Sequence, residues 1–174
     1  VEDFRGIMGK TMDVIAAKFF PDMPEKERME LLDKCGEYEN EYLSGHGAVL
    51  YPGVEETFAK LKEKYELYIV SNCQSGYIEA FLSYYKLGKY ISDIECYGNN
   101  EKQKEDNIAL VVSRNALTDA VYVGDIQSDY ESSKKAGVAF IHAAYGFGVI
   151  EDEVPEIENL SQLPDVVEKV FAGK

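Results

Sequence analysis

From Tyr51 onward the chain alternates short apolar runs with amphipathic stretches of helical period, and this alternation limits the possible folds more than any other feature. Leu67-Tyr68-Ile69-Val70 is a near-continuous apolar run, the pattern of a strand buried on both faces. Before it, Val54 to Tyr65 reads as a helix with Val54, Phe58 and Leu61 inward. After it, Ser75 is placed to cap a helix carrying Ile78, Phe81, Leu82 and Tyr85, which Gly88 stops. Strands are then predicted over 91–97, 120–123 and 138–143. Helices are predicted from about Lys104 to Asn115, after Asp129, and from near Ser161 through Val166, Val167 and Val170. Strands alternating with helices of about 10–15 residues imply an α/β fold, a doubly wound parallel sheet covered on both faces.

Residues 1–48 carry a different pattern. Phe4, Ile7 and Met8 give a short apolar face before Gly9, and Met12, Ile15 and Phe19 continue at helical spacing until Pro21. Asp22, Pro24 and Glu25 read as a helix start. Met29, Leu32, Cys35, Tyr38, Tyr42 and Leu43 then form one stripe, read as a packing face, that ends near Gly45-His46-Gly47. The expected division is therefore a helical segment over 1–48 and an α/β core over 49–174.

Composition removes several classes of function. A net charge of -14, spread along the chain, repels nucleic acid and anionic membrane surfaces. It would repel a phosphorylated ligand too, unless the site carries local positive charge or a metal. No apolar run approaches the roughly 18 residues of a membrane span. Cys35, Cys73 and Cys96 are odd in number and irregularly spaced, which reads as reduced thiols in a cytoplasmic protein.

The chemistry is expected at the carboxyl ends of the strands, where parallel sheets bind ligands. In Ser71-Asn72-Cys73-Gln74-Ser75-Gly76 a hydroxyl and successive backbone N–H groups lead into a helix N-terminus, a phosphate-binding arrangement. Lys104 opens a helix, where the dipole disfavours a cation, so another partner is expected for it. Gly124-Asp125-Ile126-Gln127-Ser128-Asp129 sets two carboxylates four residues apart after a short strand. Such oxygen ligands suit Mg2+. Singly, each has a plainer reading: a turn serine, a surface lysine, and aspartates that cap a helix. Cys73 lacks a nearby histidine, His46 and His142 lack a triad context, and Lys10 reads equally as a gating or a solvated lysine.

In their order these residues carry a resemblance. The chain resembles haloacid dehalogenase superfamily phosphatases of the phosphoglycolate phosphatase-like branch. Tyr51-Pro52-Gly53-Val54 is similar to the family's entry into the core after a helical cap. Ile69-Val70-Ser71-Asn72 matches the second motif, and Lys104 with Asn107-Ile108 matches the third. Gly124-Asp125 with Asp129 matches the fourth, and Tyr145-Gly146-Phe147-Gly148 is also typical of the family. The resemblance implies an Mg2+-dependent hydrolase of small phosphorylated metabolites working through an aspartyl-phosphate. In it Ser71 and Asn72 bind phosphate, Ser71 and Lys104 take catalytic roles, Lys104 neutralises charge, and Asp125 holds the metal with Asp129 in support.

One part of the pattern is missing. The family's first motif, Asp-x-Asp-Gly-Thr at the end of the first and central strand, occurs nowhere in the sequence. The resemblance begins partway through the cap and implies that this chain is part of a longer protein, with roughly 35–45 upstream residues beyond it. Removing a central strand would strand about ten backbone groups at roughly 1–3 kcal/mol each, more than the usual 5–15 kcal/mol stability of a domain. The expectation is that the chain alone is inactive and that its own upstream segment is its partner. The rival readings are a non-catalytic phosphate- or metal-binding protein, and a phosphomutase or pyrophosphatase of the same fold. A receiver-type signalling domain would leave the helices before Tyr51 unexplained.

Overall fold

The computed structural model describes residues 6–173. Phe4 therefore lies outside the described residues, and the segment after it, 6–9, is a turn rather than a helical face. Helix α1 spans Met12–Phe19 and α2 spans Glu25–His46. Helix α3, Val54–Lys62, leads into β1, Leu67–Ser71. Helix α4, Tyr77–Tyr85, is followed by β2, Ile91–Cys96, and by the single turn α5, Tyr97–Asn100. Helix α6, Lys104–Arg114, precedes β3, Val121–Gly124, and α7, Gln127–Lys135, precedes β4, Ala139–Ala143. A two-residue β5, Glu156–Ile157, and helix α8, Leu163–Ala172, complete the described chain. Among the described residues no helix is long and apolar enough to cross a membrane.

The strands are parallel, as the alternation implies, but they form two separate pieces. β1 pairs with β2, Ser71 lying opposite Cys96. β3 pairs with β4 and β4 with β5, Gly124 opposite His142 and Ala143 opposite Ile157. Among the described residues no ladder joins β1 to β3. The consequence appears in burial. β4 has a partner on each side and is almost wholly buried, with Ile141 at 0% exposure. β1 and β3, equally apolar, are only half-buried at every position. The expectation that Leu67 to Val70 is buried on both faces therefore fails. A slot of about 620 Å³ separates the two strands, lined on one side by Leu61, Leu163 and Val167 and on the other by Ile108 and Val111.

The apolar core gathers Leu61, Ile141, Ala143, Ile157, Leu163 and Val167, which fastens α3 and α8 to the β3–β5 piece. Helices α6 and α7 cover the opposite face. Two local expectations need correction. Ser75 does not cap α4; Gly76 does the work by adopting φ 85°, so the chain turns in the left-handed region that glycine reaches without strain. The stripe on α2 is also misassigned. Cys35, Tyr38 and Tyr42 are exposed, and the buried position is Gly36, which packs against Gln74. Here the face is set by polar contact: Asn40 Nδ2 donates to the Ser75 carbonyl at 2.8 Å, and Gln74 Nε2 donates to Glu39 at 3.0 Å.

An acid-sensitive tie joins β2 to α6. Arg114 donates to Asp93 at 2.8 Å and to Glu95 at 2.9 Å, while Asn115 donates to Asp93 at 2.7 Å. Burial opposes the charge on Asp93. Hydrogen bonds from Asn115, the Ile94 N–H and Arg114 outweigh it and hold the carboxyl below its ordinary 3.8. A depressed pKa contributes stability above that value and loses it as pH falls further. Acid titration followed by circular dichroism should therefore show this contribution disappearing below about pH 4, and Arg114→Ala should make that part of the transition shallower.

Packing gives a second test, at two glycines. A Cβ on Gly98 would lie 2.1 Å from the Ser75 backbone nitrogen and 2.5 Å from the Gln74 carbonyl carbon, whereas one on Gly45 meets nothing within 4 Å. In urea unfolding, Gly98→Ala should cost about 3 kcal/mol, and Gly45→Ala should stabilise by about 0.5–1 kcal/mol.

Candidate active site

The candidate residues converge where β1 and β3 end. After β1, the Ser71 hydroxyl accepts from the Cys73 N–H at 3.2 Å, which holds the first turn of the loop. Asn72 reaches back to the segment before α1, its Nδ2 donating to the Gly9 carbonyl at 2.8 Å, while its buried Oδ1 has no partner among the described residues. The loop leads directly into α4, so its N–H groups lie at the positive end of a helix dipole.

Cys73 is not a nucleophile here. The neighbouring Cys96 thiol and burial push its pKa well up, so it stays protonated. All three cysteines are free. His142 is buried in β4, with Nδ1 3.7 Å from Glu156, and His46 is exposed and stacks on Tyr42.

After β3, neither aspartate caps α7, whose N-cap, Ile126, makes no side-chain cap hydrogen bond. The Asp125 carboxylate turns away and accepts the Phe147 N–H on Oδ2 at 2.8 Å, and the Asp125 carbonyl accepts the Gly148 N–H at 3.1 Å. Asp129 folds back beneath it. Its Oδ2 accepts the Asp125 N–H at 3.1 Å and its Oδ1 accepts from Lys104 Nζ at 2.5 Å. The plain reading of this segment as a capped helix is thus replaced by a clasped pair of carboxylates.

Lys104 is 8% exposed and Asp129 4%. Burial works against the ammonium, but Tyr122 and the Asp129 carboxylate overcome it and hold its pKa above the ordinary lysine value. This is the partner that offsets the unfavourable helix position. Tyr122, pushed up to about 12 chiefly by burial, stays a phenol. Its ring lies 6.0 Å from Lys104 Nζ and its hydroxyl donates to the Val70 carbonyl at 3.0 Å. The amino end of α6 is braced by Asn107, which is fully buried, accepts from Asn100 at 2.7 Å and donates to the Lys102 carbonyl at 3.1 Å.

The structure therefore brings Lys104, Asp125 and Asp129 together. Asn72 and Lys104 share the lining of a polar cleft of about 270 Å³ with Gly9, Lys10, Thr11 and Ser128; Ser71, Asp125 and Asp129 lie outside that lining. Among the described residues no group of three or more His, Cys, Asp or Glu side chains gathers as a metal cage. The donor set nevertheless fits Mg2+, which binds through one or two carboxylates and fills its shell with water and phosphate oxygens. Asp125 has one carboxylate oxygen engaged by Phe147; both oxygens of Asp129 are taken, which suits a supporting position.

Two participants escaped the sequence reading. Tyr122 was read only as part of a strand, and a strand tyrosine gives no sign that it will sit beside a lysine from another helix. The turn at 145–148 was read as typical of the family but without a role. Its signal lay in the paired glycines: a Cβ on Gly146 would fall 2.4 Å from Asp125 Oδ2, and one on Gly148 2.8 Å from the Asp125 carbonyl oxygen.

The profile described as haloacid dehalogenase-like hydrolase matches residues 1–143. The chain belongs to this family. It is 27% identical over 155 residues to the phosphoglycolate phosphatase of Escherichia coli strain K12, covering 84% of the chain but 58% of that relative. The chain thus spans under two thirds of the length of the curated relative it matches. A predicted phosphatase from Clostridium acetobutylicum superposes with a TM-score of 0.78 at 18% identity, covering 97% of this chain and 82% of that one. CbbY from Rhodobacter sphaeroides, solved in complex with phosphate, gives 0.72 at 16% identity, covering 93% and 79%. These structures share the fold.

The buried pair can be tested by stability. Lys104→Met leaves Asp129 charged and unpaired and should cost about 3 kcal/mol in urea unfolding, whereas Lys104→Met with Asp129→Leu should recover most of that loss.

Proposed function

We propose that this chain supplies most of the site of an Mg2+-dependent phosphatase acting on small phosphomonoesters, with 2-phosphoglycolate the first to try. The observation that carries the reading is the clasp of Lys104, Asp125 and Asp129 beyond the end of β3, with Ser71 at the end of β1, each held by named partners. Of the candidate residues, Asn72 and Lys104 line the polar cleft of about 270 Å³, a volume that favours a small substrate. The names of the curated relatives support the same class of reaction.

In this reading the Ser71 hydroxyl and the N–H groups after it hold phosphoryl oxygens, and Asn72 steadies the loop against the segment before α1. Lys104 offsets negative charge while orienting Asp129. Asp125, with Asp129 behind it, would hold Mg2+, whose chemistry is to neutralise phosphoryl oxygens as charge develops. The nucleophilic carboxylate comes from an Asp-x-Asp segment that this chain does not carry. That carboxylate attacks phosphorus, the alcohol leaves with a proton, and water then releases phosphate.

The 174-residue chain alone should release no phosphate above background from a panel of phosphomonoesters. Extended at its amino end by a strand carrying Asp-x-Asp-Gly-Thr, it should gain turnover that needs Mg2+. In that longer protein Ser71→Ala or Asp125→Asn should lower kcat/KM by about 10²–10³-fold. A longer protein that binds phosphate but never turns over would sink the enzyme reading in favour of a binding role, and product analysis would expose a mutase or pyrophosphatase.

A further inference from the structure

Two of the three cysteines meet under the loop that follows β1. Cys96 ends β2 opposite Ser71, and its thiol donates to the Gln74 carbonyl at 3.7 Å, one residue past Cys73. The Gly98 N–H donates to the Cys73 carbonyl at 3.0 Å, so the turn after β2 is fastened to the same loop. The two thiols are neighbours, each acting on the ionisation of the other. Cys73 is half-buried and Cys96 is 1% exposed, whereas Cys35 stands exposed on α2. We propose that Cys73 and Cys96 form an oxidisable dithiol, a modification site that a small hydroperoxide converts into an intrachain disulfide.

The two sulfurs take different parts. A hydrogen bond from the Cys73 thiol, helped by the Asn99 and Gly98 N–H groups, outweighs burial and the nearby Glu79 charge and holds the Cys96 thiol below its ordinary pKa. Cys96 is therefore the attacking thiolate. Its sulfur forms a bond to one oxygen of the hydroperoxide, the O–O bond breaks, and the departing oxygen takes up a proton as water or an alcohol. Cys73, kept protonated until then, attacks the Cys96 sulfur. The S–S bond forms, the S–O bond breaks, and hydroxide leaves with the Cys73 proton as water. Two thiols are oxidised and one hydroperoxide is reduced; an added dithiol reverses the change by exchange. Burial selects the oxidant, since a sulfur at 1% exposure meets a reagent little larger than water before it meets a bulky disulfide. The bond would fall within the loop whose Cys73 N–H holds the Ser71 hydroxyl at 3.2 Å and which runs on into α4. A disulfide keeps its Cα atoms about 4.4–6.8 Å apart, so oxidation ties that loop to the end of β2. The assignment stands on the thiol pair and not on the phosphatase reading.

The test treats the reduced chain with a single equivalent of hydrogen peroxide. Intact mass should fall by two hydrogen atoms, and peptide mapping should join Cys73 to Cys96 while Cys35 stays free. Dithiothreitol should restore the starting mass. A bulky aromatic disulfide should label Cys35 about tenfold faster than either member of the pair. Cys73→Ser should halt oxidation at Cys96 with the gain of one oxygen atom, and Cys35→Ser should leave the disulfide unchanged. Amide exchange over 72–76 should slow about tenfold on oxidation and recover on reduction. The proposal fails if Cys35 is joined to either partner, if the pairing equals that of the chain unfolded in urea, or if only disulfide-linked dimers form. It fails also if Cys73→Ser still loses two hydrogen atoms. The same mapping is made on the protein extended by the Asp-x-Asp-Gly-Thr strand, and that result decides wherever the two differ, so poor folding of the shorter chain cannot settle the matter. Phosphate release is not a readout, so its absence leaves this result untouched.

Discussion

The buried ion pair between Lys104 and Asp129 is the contact on which the remaining site geometry depends. It joins the first turn of α6 to the first turn of α7, and through Asp129 it reaches the Asp125 N–H. A lysine at a helix N-terminus and a carboxylate at 4% exposure are each unfavourable alone. Together they cancel, and both helix starts become fixed relative to β3. Asn107 and its partners brace the same corner from the α6 side. The result is a site assembled from the ends of separate elements, each end already satisfied by a protein partner.

How much of this could be read in advance varies with the physics. The parallel α/β class was legible because a buried strand needs a near-continuous apolar run, and Leu67 to Val70 supplies one. The Asp125/Asp129 spacing was legible because it is local. The extent of helix α2 was legible from its start at Pro24-Glu25 and its end at His46-Gly47, but its packing face was not, since Cys35, Tyr38 and Tyr42 lie at plausible core spacing while Gly36 and Asn40, residues that hydrophobic periodicity ignores, make contact. Ser75 misled for a related reason: a serine before a helix is a good cap, but Gly76 takes a conformation that makes the cap unnecessary. Tyr122 and the 145–148 turn act through neighbours distant in sequence, and distance in sequence is what a single chain conceals.

The contrast between β4 and β1 makes a more general point. Their sequences are comparably apolar, yet one is buried and the other half-exposed, because burial of a strand depends on lateral neighbours as much as on helices above and below.

The grip of the 145–148 turn on Asp125 has a consequence for how such a site can change over generations. One residue is held at its side chain by Phe147 and at its carbonyl by Gly148, and Gly146 leaves no space for a methyl group beside it. The aim of the carboxylate is thus inherited from a stretch some twenty residues downstream of it. A lineage that preserved Asp125 but let Gly146 drift would retain the carboxylate and lose its bearing, so the two positions should vary as one unit of descent.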